Sequence, residues 1–360
     1  MPDDHHAPAD DDQLAAEDGA PIDGVAALMA DAHVTPLSTD PHVSTGTLPT
    51  SDRIVDAMQR ALEAVRDDRR GATSSVYPAL ESADPDVVGI ALAGVSGRVE
   101  SVGDDHVVFT IMSVAKPFVL GLVGDAVGAE RVRSIVGVNA TGLAFNSAES
   151  IERMPGGRTN PMVNAGAIAT TALTPGATLD DRWQFLLDGM SQLAGRPLDV
   201  DDEVLASALA TNHRNRALAN LLYSSGVITG DPAEAVELYT RQSCVALDVR
   251  DVATMGATIA NAGRNPRTGE QVVDATMCHD VMAAMATAGL YETSGDWLWD
   301  VGLPGKSGIS GAVVALSPGK GAIAAFSPRL DAAGNSIRGQ IAATLLSKEL
   351  GLDVFAARAE

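Results

Sequence analysis

The sequence predicts a mixed fold: an antiparallel sheet flanked by helices, with an all-helical lobe inserted between the strands. Two β-rich runs with hairpin turns lie far apart in the chain, at 87–111 and 308–327. Between them, from about 117 to 288, the chain consists mostly of Ala- and Leu-rich segments broken by Gly, Pro and Asn. Because a cleft between two such lobes is the usual place for a small-molecule site, we look for chemistry at the lobe boundaries.

The individual elements are indicated by their periodicity. Apolar residues recur at helical spacing in IVDAMQRALEAV, which predicts an amphipathic helix over 53–66. The first β-rich run is divided at Ser96–Gly97 and the second at Pro318–Gly319, and each break is typical of a hairpin turn. Residues 336–350 then predict a helix that follows the second hairpin.

The first 50 residues differ in composition from the rest of the 360-residue chain. They contain ten acidic residues and no Lys or Arg, and so carry −10 of the formal net charge of −22. Such a segment buries too little apolar surface to offset the entropy of ordering. We therefore expect a disordered acidic tail over 1–50 and one folded domain over 51–360. Within the domain we expect an α/β lobe, about 51–116 and 289–355, and a helical lobe, about 117–288.

Composition excludes several functional classes. The apolar content of 46% is enough for a sizeable core, and no apolar run is long enough to span a membrane. The acidic balance argues against nucleic-acid and anionic-membrane partners. The first residues lack the basic and apolar regions of a secretory signal, and Cys244 and Cys278 are typical of two reduced thiols. We expect a cytoplasmic protein.

Neither a cofactor nor a metal is expected. The sequence contains no Gly-rich phosphate loop and no metal-ligand spacing. Histidines His5, His6, His33 and His42 are scattered through the acidic segment, where we interpret them as solvated side chains rather than metal ligands.

Lysine is rare in this chain, with four residues against 21 arginines. A lysine can lose its proton when it is desolvated, whereas an arginine cannot, so Lys116 and Lys306 are candidate functional residues. Ser113 and Lys116 form a Ser-x-x-Lys pattern after a predicted strand, and positions i and i+3 share one face of a helix. A neutral Lys116 could take the proton of Ser113 and activate its oxygen as a nucleophile. The alternative is a capping serine beside a solvated lysine.

A second motif, Lys306-Ser307-Gly308, opens the second β-rich run. A glycine lets a substrate approach a strand edge closely, and the next backbone N–H can stabilise an oxyanion. Lys306 would supply positive potential and a proton relay. Together with Ser-x-x-Lys, this motif indicates a serine acyl-transfer site.

Several long motifs extend the pattern over the predicted domain. They are GRTNPMVNAGAIAT (157–170), RNRALA (214–219), LYTRQSCVALDVRDVATMGATIANAGRNPRTGEQVV (238–273), GLYETSGDWLWDVGLPGKSGISG (289–311) and FSPRLDAAGNSIRG (326–339). In this order the motifs resemble the serine-dependent glutaminase family, from about 53 to 355. The resemblance implies a β-lactamase-like fold, no cofactor, a homo-oligomer (dimer or tetramer), and hydrolysis of L-glutamine to L-glutamate and ammonia through an acyl-enzyme.

The resemblance also assigns roles to residues. It implies catalytic roles for Ser113 as nucleophile, Lys116 as its base, Tyr239, Tyr291 and Lys306. It implies substrate binding by Ser113, Asn164, Asn215, Tyr239, Tyr291 and the backbone of Ile309.

Three positions depart from the family pattern. Ala208 stands where the family has a Glu that is expected to hold the substrate α-ammonium, and Met112 replaces a Gln before the nucleophile. In Val76-Tyr77-Pro78 the tyrosine is displaced by one residue relative to the proline, so we expect Tyr77 to miss the site. Losing the carboxylate should weaken glutamine affinity by about tenfold to a hundredfold, while the acylation groups persist.

Alternative functions remain open. The first is a related amidohydrolase whose amide substrate lacks a free α-amino group, which Ala208 favours. The second is a non-catalytic ligand-binding pseudoenzyme that uses the acidic tail as an interaction arm; the intact Ser113 and Lys116 argue against it. Activity on β-lactams is a further alternative by analogy of fold, although no clear Ser-x-Asn element occurs in the sequence.

Overall fold

The computed structural model describes residues 47–356. The predicted acidic tail lies outside the described residues except for 47–50, and the four histidines assigned to it lie outside them too. The prediction of a disordered tail is therefore not tested.

Helices make up about half of the described chain. They are α1 (Ser51–Arg66), α2 (Pro78–Glu81), α3 (Ala115–Val127), α4 (Ala129–Val136), α5 (Glu149–Arg153), α6 (Asn164–Ala172), α7 (Leu179–Ala194), α8 (Asp202–Thr211), α9 (His213–Ser224), α10 (Pro232–Ser243), α11 (Val249–Ala260), α12 (Ala275–Ala288), α13 (Ser294–Val301) and α14 (Ile337–Glu349).

The strands form two sheets. They are β1 (Gly89–Gly94), β2 (Val99–Gly103), β3 (Phe109–Thr110), β4 (Asp199–Val200), β5 (Val245–Leu247), β6 (Gly305–Ser307), β7 (Ala312–Ser317) and β8 (Gly321–Phe326). The main sheet is antiparallel throughout, in the order β2-β1-β8-β7-β6. A small sheet has the order β3-β5-β4. The two predicted hairpins are thus joined side by side, because β1 pairs with β8.

Alternation along the strands divides the apolar side chains between the two faces of the main sheet. Ile90 and Leu92 belong to the core cluster that contains α1 and α14, whereas Ala91 and Ala93 belong to the cluster that contains α11. All of these side chains are buried, since helices cover both faces. The predicted fold class, an antiparallel sheet flanked by helices, is confirmed.

Helix α11 packs unusually close to the sheet because both surfaces carry small residues. A Cβ on Gly256 would lie 2.7 Å from the Cβ of Ala322 and 3.0 Å from Cγ2 of Val314. Side-chain volume sets the distance between packed layers, so Gly256 and the alanines of β1 and β8 let the helix backbone approach the strands. This contact fixes the helical part of the chain against the sheet.

The sequence located most elements but missed the small strands. The predicted helices over 53–66 and 336–350 correspond to α1 and α14, and both hairpins are present. The second hairpin is preceded by the three-residue strand β6, which contains Lys306 and Ser307. Strands β4 and β5 were not predicted, because two or three residues are too few to establish a period. Strand β3 lies within the predicted β-rich run 87–111, but it pairs with β5 in the small sheet.

The length and hydropathy of the described helices determine whether any of them could span a bilayer. No single helix within residues 47–356 is long and apolar enough to cross a membrane. One pair of consecutive helical segments, Met112–Val127 and Ala129–Val136, passes that test only when the two are taken together, and it is bent by 119°.

The close contact of α11 with the sheet can be tested by adding one methyl group. We expect Gly256→Ala to lower the free energy of unfolding by roughly 1–3 kcal/mol, because the new Cβ overlaps Ala322. The matched control is Gly295→Ala in α13, where nothing lies within 4 Å of the added atom. Denaturant unfolding of both variants measures the difference. Equal stability of the two variants would contradict the packing described.

Candidate active site

The site is organised around a strained turn that carries Ser113. Residues Met112–Val114 form a single 3-10 turn between β3 and α3, and the backbone N–H of Ile111 donates to the carbonyl of Val245 at 2.9 Å. Met112 has a φ of 46°, in the left-handed region that a non-glycine residue seldom occupies. Strain of this kind persists only where the surrounding structure enforces it, and it is concentrated at functional sites.

Lys116 lies one helical turn after Ser113 with its side chain buried. Its Nζ is 3.2 Å from Oγ of Ser113 and donates to Oδ1 of Asn164 at 2.7 Å. Burial lowers the pKa of Lys116 to about 7, because desolvation disfavours the charged ammonium. A substantial fraction of Lys116 is therefore neutral near pH 7, with a lone pair available beside the serine hydroxyl.

Asn164 connects the polar groups of the site. It begins α6, and its Oδ1 accepts hydrogen bonds from Lys116 and, at 3.2 Å, from the hydroxyl of Tyr239. Its Nδ2 donates to Oδ1 of Asn215 at 3.0 Å. The structure therefore brings Ser113, Lys116, Asn164, Tyr239 and Asn215 into one network, although 102 positions separate the first from the last in the sequence.

The two tyrosines named from the sequence both lie beside Ser113. Burial raises the pKa of Tyr239 well above its usual value and that of Tyr291 to about 12, and in each case the Ser113 hydroxyl opposes part of the shift. Both phenols are thus protonated at neutral pH and act as hydrogen-bond donors. Tyr291 also adopts a strained φ of 58°, and its ring stacks against Phe145 with centroids 4.4 Å apart.

Lys306 does not occupy the place expected for a proton relay. Its Nζ donates to the carbonyls of Gly289 and Ser307, at 2.7 Å each, and lies 4.2 Å from the centre of the Tyr291 ring. The hydroxyl of Tyr291 in turn donates to the carbonyl of Ser307 at 3.3 Å. Lys306 therefore holds Tyr291 and the end of β6 together, and a direct exchange of protons with Ser113 is not supported.

The residues after Lys306 approach Ser113. A Cβ on Gly308 would lie 3.2 Å from the carbonyl oxygen of Ile111 and 3.4 Å from the backbone N of Ser113. The absence of a side chain here lets the loop after β6 lie directly against the serine turn, whereas the sequence had suggested that Gly308 admits a substrate. Ile309 follows, and it lines the same cavity as Ser113.

The cavity above Ser113 is small, with a volume of about 110 Å³. Asn164, Asn215 and Tyr239 contribute to its wall. Among the described residues that line it, Arg214 is the one charged side chain, and no carboxylate is present. The cavity is therefore positive, with amide and hydroxyl groups around it.

Tyr77 lines this cavity, so the expectation that it misses the site is wrong. Its hydroxyl interacts with the side chain of Asn215, while burial raises its pKa to about 12. Its neighbour Val76 is exposed and lines the same cavity. The position of Tyr77 relative to Pro78 therefore did not determine whether it reaches the site.

The other two departures from the family pattern meet in one apolar cluster. Ala208 and Met112 are buried together with Leu80, Val204 and the free thiol of Cys244. Met112 also lines the cavity, whereas Ala208 lies behind its wall. The structure therefore provides apolar surface, rather than a carboxylate, at the end of α8.

A larger cavity, about 250 Å³, is formed around α3, α4 and α12. Leu120, Val132 and Met277 line it, with Glu130 and Arg133 among the polar residues. Neither Ser113 nor either of the buried lysines lines it. We therefore place the candidate active site by its chemistry, in the smaller cavity. Within residues 47–356, no group of three or more His, Cys, Asp or Glu side chains is arranged to hold a metal ion.

Comparison with known proteins identifies the family. The glutaminase family model matches residues 71–355, which is most of the chain. The chain belongs to the glutaminase family. The relationship predicted from the motifs is confirmed, and so is the prediction of a hydrolase that acts on an amide.

Curated glutaminases are similar over nearly their whole length. Glutaminase 2 of Yersinia pestis is 54% identical over 314 residues, which cover 87% of this chain and 92% of that protein. A glutaminase of Brucella canis is 43% identical over 309 residues, covering 86% of this chain and 98% of that protein.

Solved glutaminase structures are similar too. A probable glutaminase, ybaS, has a TM-score of 0.84 and 40% identity, with 86% of this chain and 100% of that chain covered. The protein Mglu in its glutamate form has a TM-score of 0.80 and 38% identity, with 85% and 71% covered.

Sequence reasoning missed several residues of this glutaminase-family cavity. Phe145, Arg214 and Asn212 line it but were not singled out, although Asn212 and Arg214 come shortly before the predicted Asn215. The signal available was helical spacing, since Asn212 lies four residues after Ala208 and three before Asn215. Phe145 lies in an irregular segment that carries no periodicity.

The role of Ala208 can be tested by restoring a carboxylate. We expect Ala208→Glu to lower the KM for L-glutamine by about tenfold, because a charged acceptor is introduced one turn before Asn212. We also expect lower stability, since a polar group enters the apolar cluster around Met112. Steady-state kinetics and thermal unfolding measure the two effects.

The matched control is Ala208→Gln, which has nearly the same volume without the charge. It should show the loss of stability without the gain in affinity. An unchanged KM in folded Ala208→Glu, or an equal fall in KM for both variants, would show that this position does not recognise the ammonium.

Proposed function

We propose that this protein hydrolyses L-glutamine to L-glutamate and ammonia, with Ser113 as nucleophile and Lys116 as its base. The observation that carries the proposal is the 3.2 Å contact between Nζ of a buried Lys116 and Oγ of Ser113. The family relationship supports glutamine as the substrate. The pKa of Lys116, lowered to about 7 by burial, supports a base that works near neutral pH.

In the first step, the oxygen of Ser113 attacks the side-chain amide carbon of glutamine. The hydroxyl proton passes to the lone pair of neutral Lys116, and a C–O bond forms to give a tetrahedral intermediate. Asn164 supports this step because its Oδ1 accepts a hydrogen bond from Nζ and so directs the lone pair toward the serine.

The intermediate carries a negative oxygen that must be stabilised by donors already in place. The backbone N–H groups of Ser113 and Ile309 are the donors we assign, because Gly308 brings the loop after β6 against the serine turn. The phenols of Tyr239 and Tyr291 lie beside Ser113 and are protonated at neutral pH. Each has one proton, which is donated to Oδ1 of Asn164 and to the carbonyl of Ser307 respectively, so the phenols order the groups around the intermediate.

Collapse of the intermediate breaks the C–N bond. The Lys116 ammonium returns its proton to the leaving nitrogen, ammonia departs, and a glutamyl ester remains on Ser113. A water molecule then attacks the ester carbon while Lys116 takes its proton. The ammonium finally protonates Oγ of Ser113, which releases glutamate and restores the starting state.

Substrate binding follows from the charges of the cavity. Arg214 is suited to the α-carboxylate of glutamine, and Asn215 presents its Nδ2 beside it while its Oδ1 is held by Asn164. Tyr77 faces Asn215 and contributes a further polar group.

A second candidate substrate class is favoured by one observation. Among the described lining residues no carboxylate faces the cavity, and Ala208 replaces the expected Glu. An amide whose α position carries no positive charge would fit without leaving an ammonium unpaired. A pseudoenzyme is disfavoured by the contact between Lys116 and Ser113. A β-lactamase-like fold family, a homo-oligomer and a cytoplasmic location stay predictions of the sequence.

Ammonia release from L-glutamine tests the proposed activity. We expect release by the purified protein at high millimolar substrate, and a loss of at least a thousandfold in Ser113→Ala because the acyl-enzyme cannot form. Ser310→Ala is the matched control, since Ser310 follows the Lys306-Ser307-Gly308 motif but does not line the cavity. Equal release by wild type and Ser113→Ala would overturn the mechanism. No release from glutamine by the folded protein, with release from the monoamide of glutaric acid, would favour the second class.

The pH dependence tests the base. The neutral form of Lys116 is the active one, so kcat/KM should rise with pH and level off above a midpoint near 7, where Lys116 titrates. Lys348→Met, which removes an exposed ammonium from α14, should leave the midpoint unchanged. A rate that is flat between about pH 6 and 8.5, or a midpoint near the usual lysine pKa of about 10, would contradict the assignment.

A further inference from the structure

One buried polar atom in the wall of the cavity has no partner. Asn212 is 3% exposed, and its Oδ1 makes no hydrogen bond within the part of the chain that the structure describes. A buried acceptor without a donor is costly, so such atoms in a native protein call for a ligand or a functional reason.

The orientation of this amide follows from its other contact. Nδ2 of Asn212 donates to Oγ1 of Thr240 at 3.0 Å. Thr240 uses its own hydroxyl proton toward the carbonyl of Val236 at 2.7 Å, so its oxygen is available there only as an acceptor. The nitrogen of Asn212 must therefore face Thr240, and Oδ1 is the atom left unpaired.

The backbone places Asn212 at the junction between two residues already discussed. The N–H of Asn212 donates to the carbonyl of Ala208 at 2.9 Å, and the N–H of Arg216 donates to the carbonyl of Asn212 at 3.2 Å. These two hydrogen bonds bridge α8 and α9, although Asn212 itself has a non-helical ψ of 36° and separates the two helices. Asn212 and Asn215 both line the cavity, whereas Ala208 does not.

The charges of the cavity define the missing partner. Glutamine carries an ammonium as well as a carboxylate, and the described lining offers Arg214 to the carboxylate but no carboxylate to the ammonium. A desolvated ammonium needs oxygen acceptors, and the carbonyl oxygen of an amide is one. We infer that Asn212 is a specificity-determining residue whose Oδ1 accepts a hydrogen bond from the substrate α-ammonium. This inference rests on the proposed glutaminase function.

Two amides separate this role from a structural one. L-glutamine has the ammonium, and the monoamide of glutaric acid is the same molecule without the α-amino group. In Asn212→Leu we expect the KM for glutamine to rise about tenfold while the KM for the monoamide changes less than about twofold. Asn212→Asp adds a charge at the same place and requires the Thr240 hydroxyl to turn its proton from the carbonyl of Val236 to the new oxygen. In the folded variant the KM for glutamine alone should fall to or below the wild-type value.

The controls separate folding and turnover from recognition. Asn220→Asp makes the same chemical change on the exposed face of α9, and it should leave both KM values unchanged. Thermal unfolding identifies a variant that fails to fold. Calorimetric binding of both amides to Ser113→Ala and Ser113→Ala/Asn212→Asp gives the same comparison without turnover, so it still tests Asn212 if wild type releases no ammonia.

Two results would overturn the inference. One is an equal rise in KM for both amides, which would make Asn212 a support of the cavity. The other is unchanged glutamine affinity in folded Asn212→Leu and Asn212→Asp. That result would show that Oδ1 does not contact the substrate and would assign it to the neighbouring cavity, which Asn212 lines together with Arg216 and Asp231.

Discussion

The burial of Lys116 is the constraint on which the rest of the site depends. An ammonium without solvent is costly, and burial is what lowers its pKa toward 7. The surrounding groups are consistent with a base that must lose and regain a proton. Asn164 supplies one neutral oxygen to Nζ, and Tyr239 and Ser113 supply hydroxyls nearby. A carboxylate beside Nζ would have held the proton in place, so neutral partners keep Lys116 reactive.

The second buried lysine shows how context separates two similar residues. Lys306 is as deeply buried as Lys116, but its Nζ faces two backbone carbonyls and the ring of Tyr291. Those contacts direct its donors to the backbone rather than to Ser113. Composition alone, with four lysines in the chain, predicted that both would matter. It could not distinguish a base from a positioning residue, because that difference lies in which atoms surround Nζ.

Periodicity and motifs predicted much of this molecule for physical reasons. Helices α1 and α14 and both hairpins have patterns long enough to establish a period. The grouping of Ser113 with Lys116 followed from the i, i+3 geometry of a helix turn. The place of Tyr77 was mispredicted because strict alternation was assumed for a segment whose two neighbouring residues, Val76 and Tyr77, both line the cavity. The unpaired oxygen of Asn212 could not be predicted from the sequence either. Its orientation depends on the hydrogen bond from Nδ2 to Thr240, which lies 28 positions later in the chain.

The pairing of β1 with β8 has a consequence for the newly made chain. Ser113 and Lys116 leave the ribosome nearly two hundred residues before β6, whose end carries Lys306 and the loop that lies against the serine turn. Until those last strands join the sheet, β1 has one neighbour, and no loop closes the nucleophile turn. At a synthesis rate of about 5–20 residues per second, the nascent chain therefore spends on the order of 10 s or more with Ser113 and Lys116 made but this loop still missing. The contact between the loop and the serine turn thus waits for the last part of the sheet, and a chain that ends before β6 cannot form it.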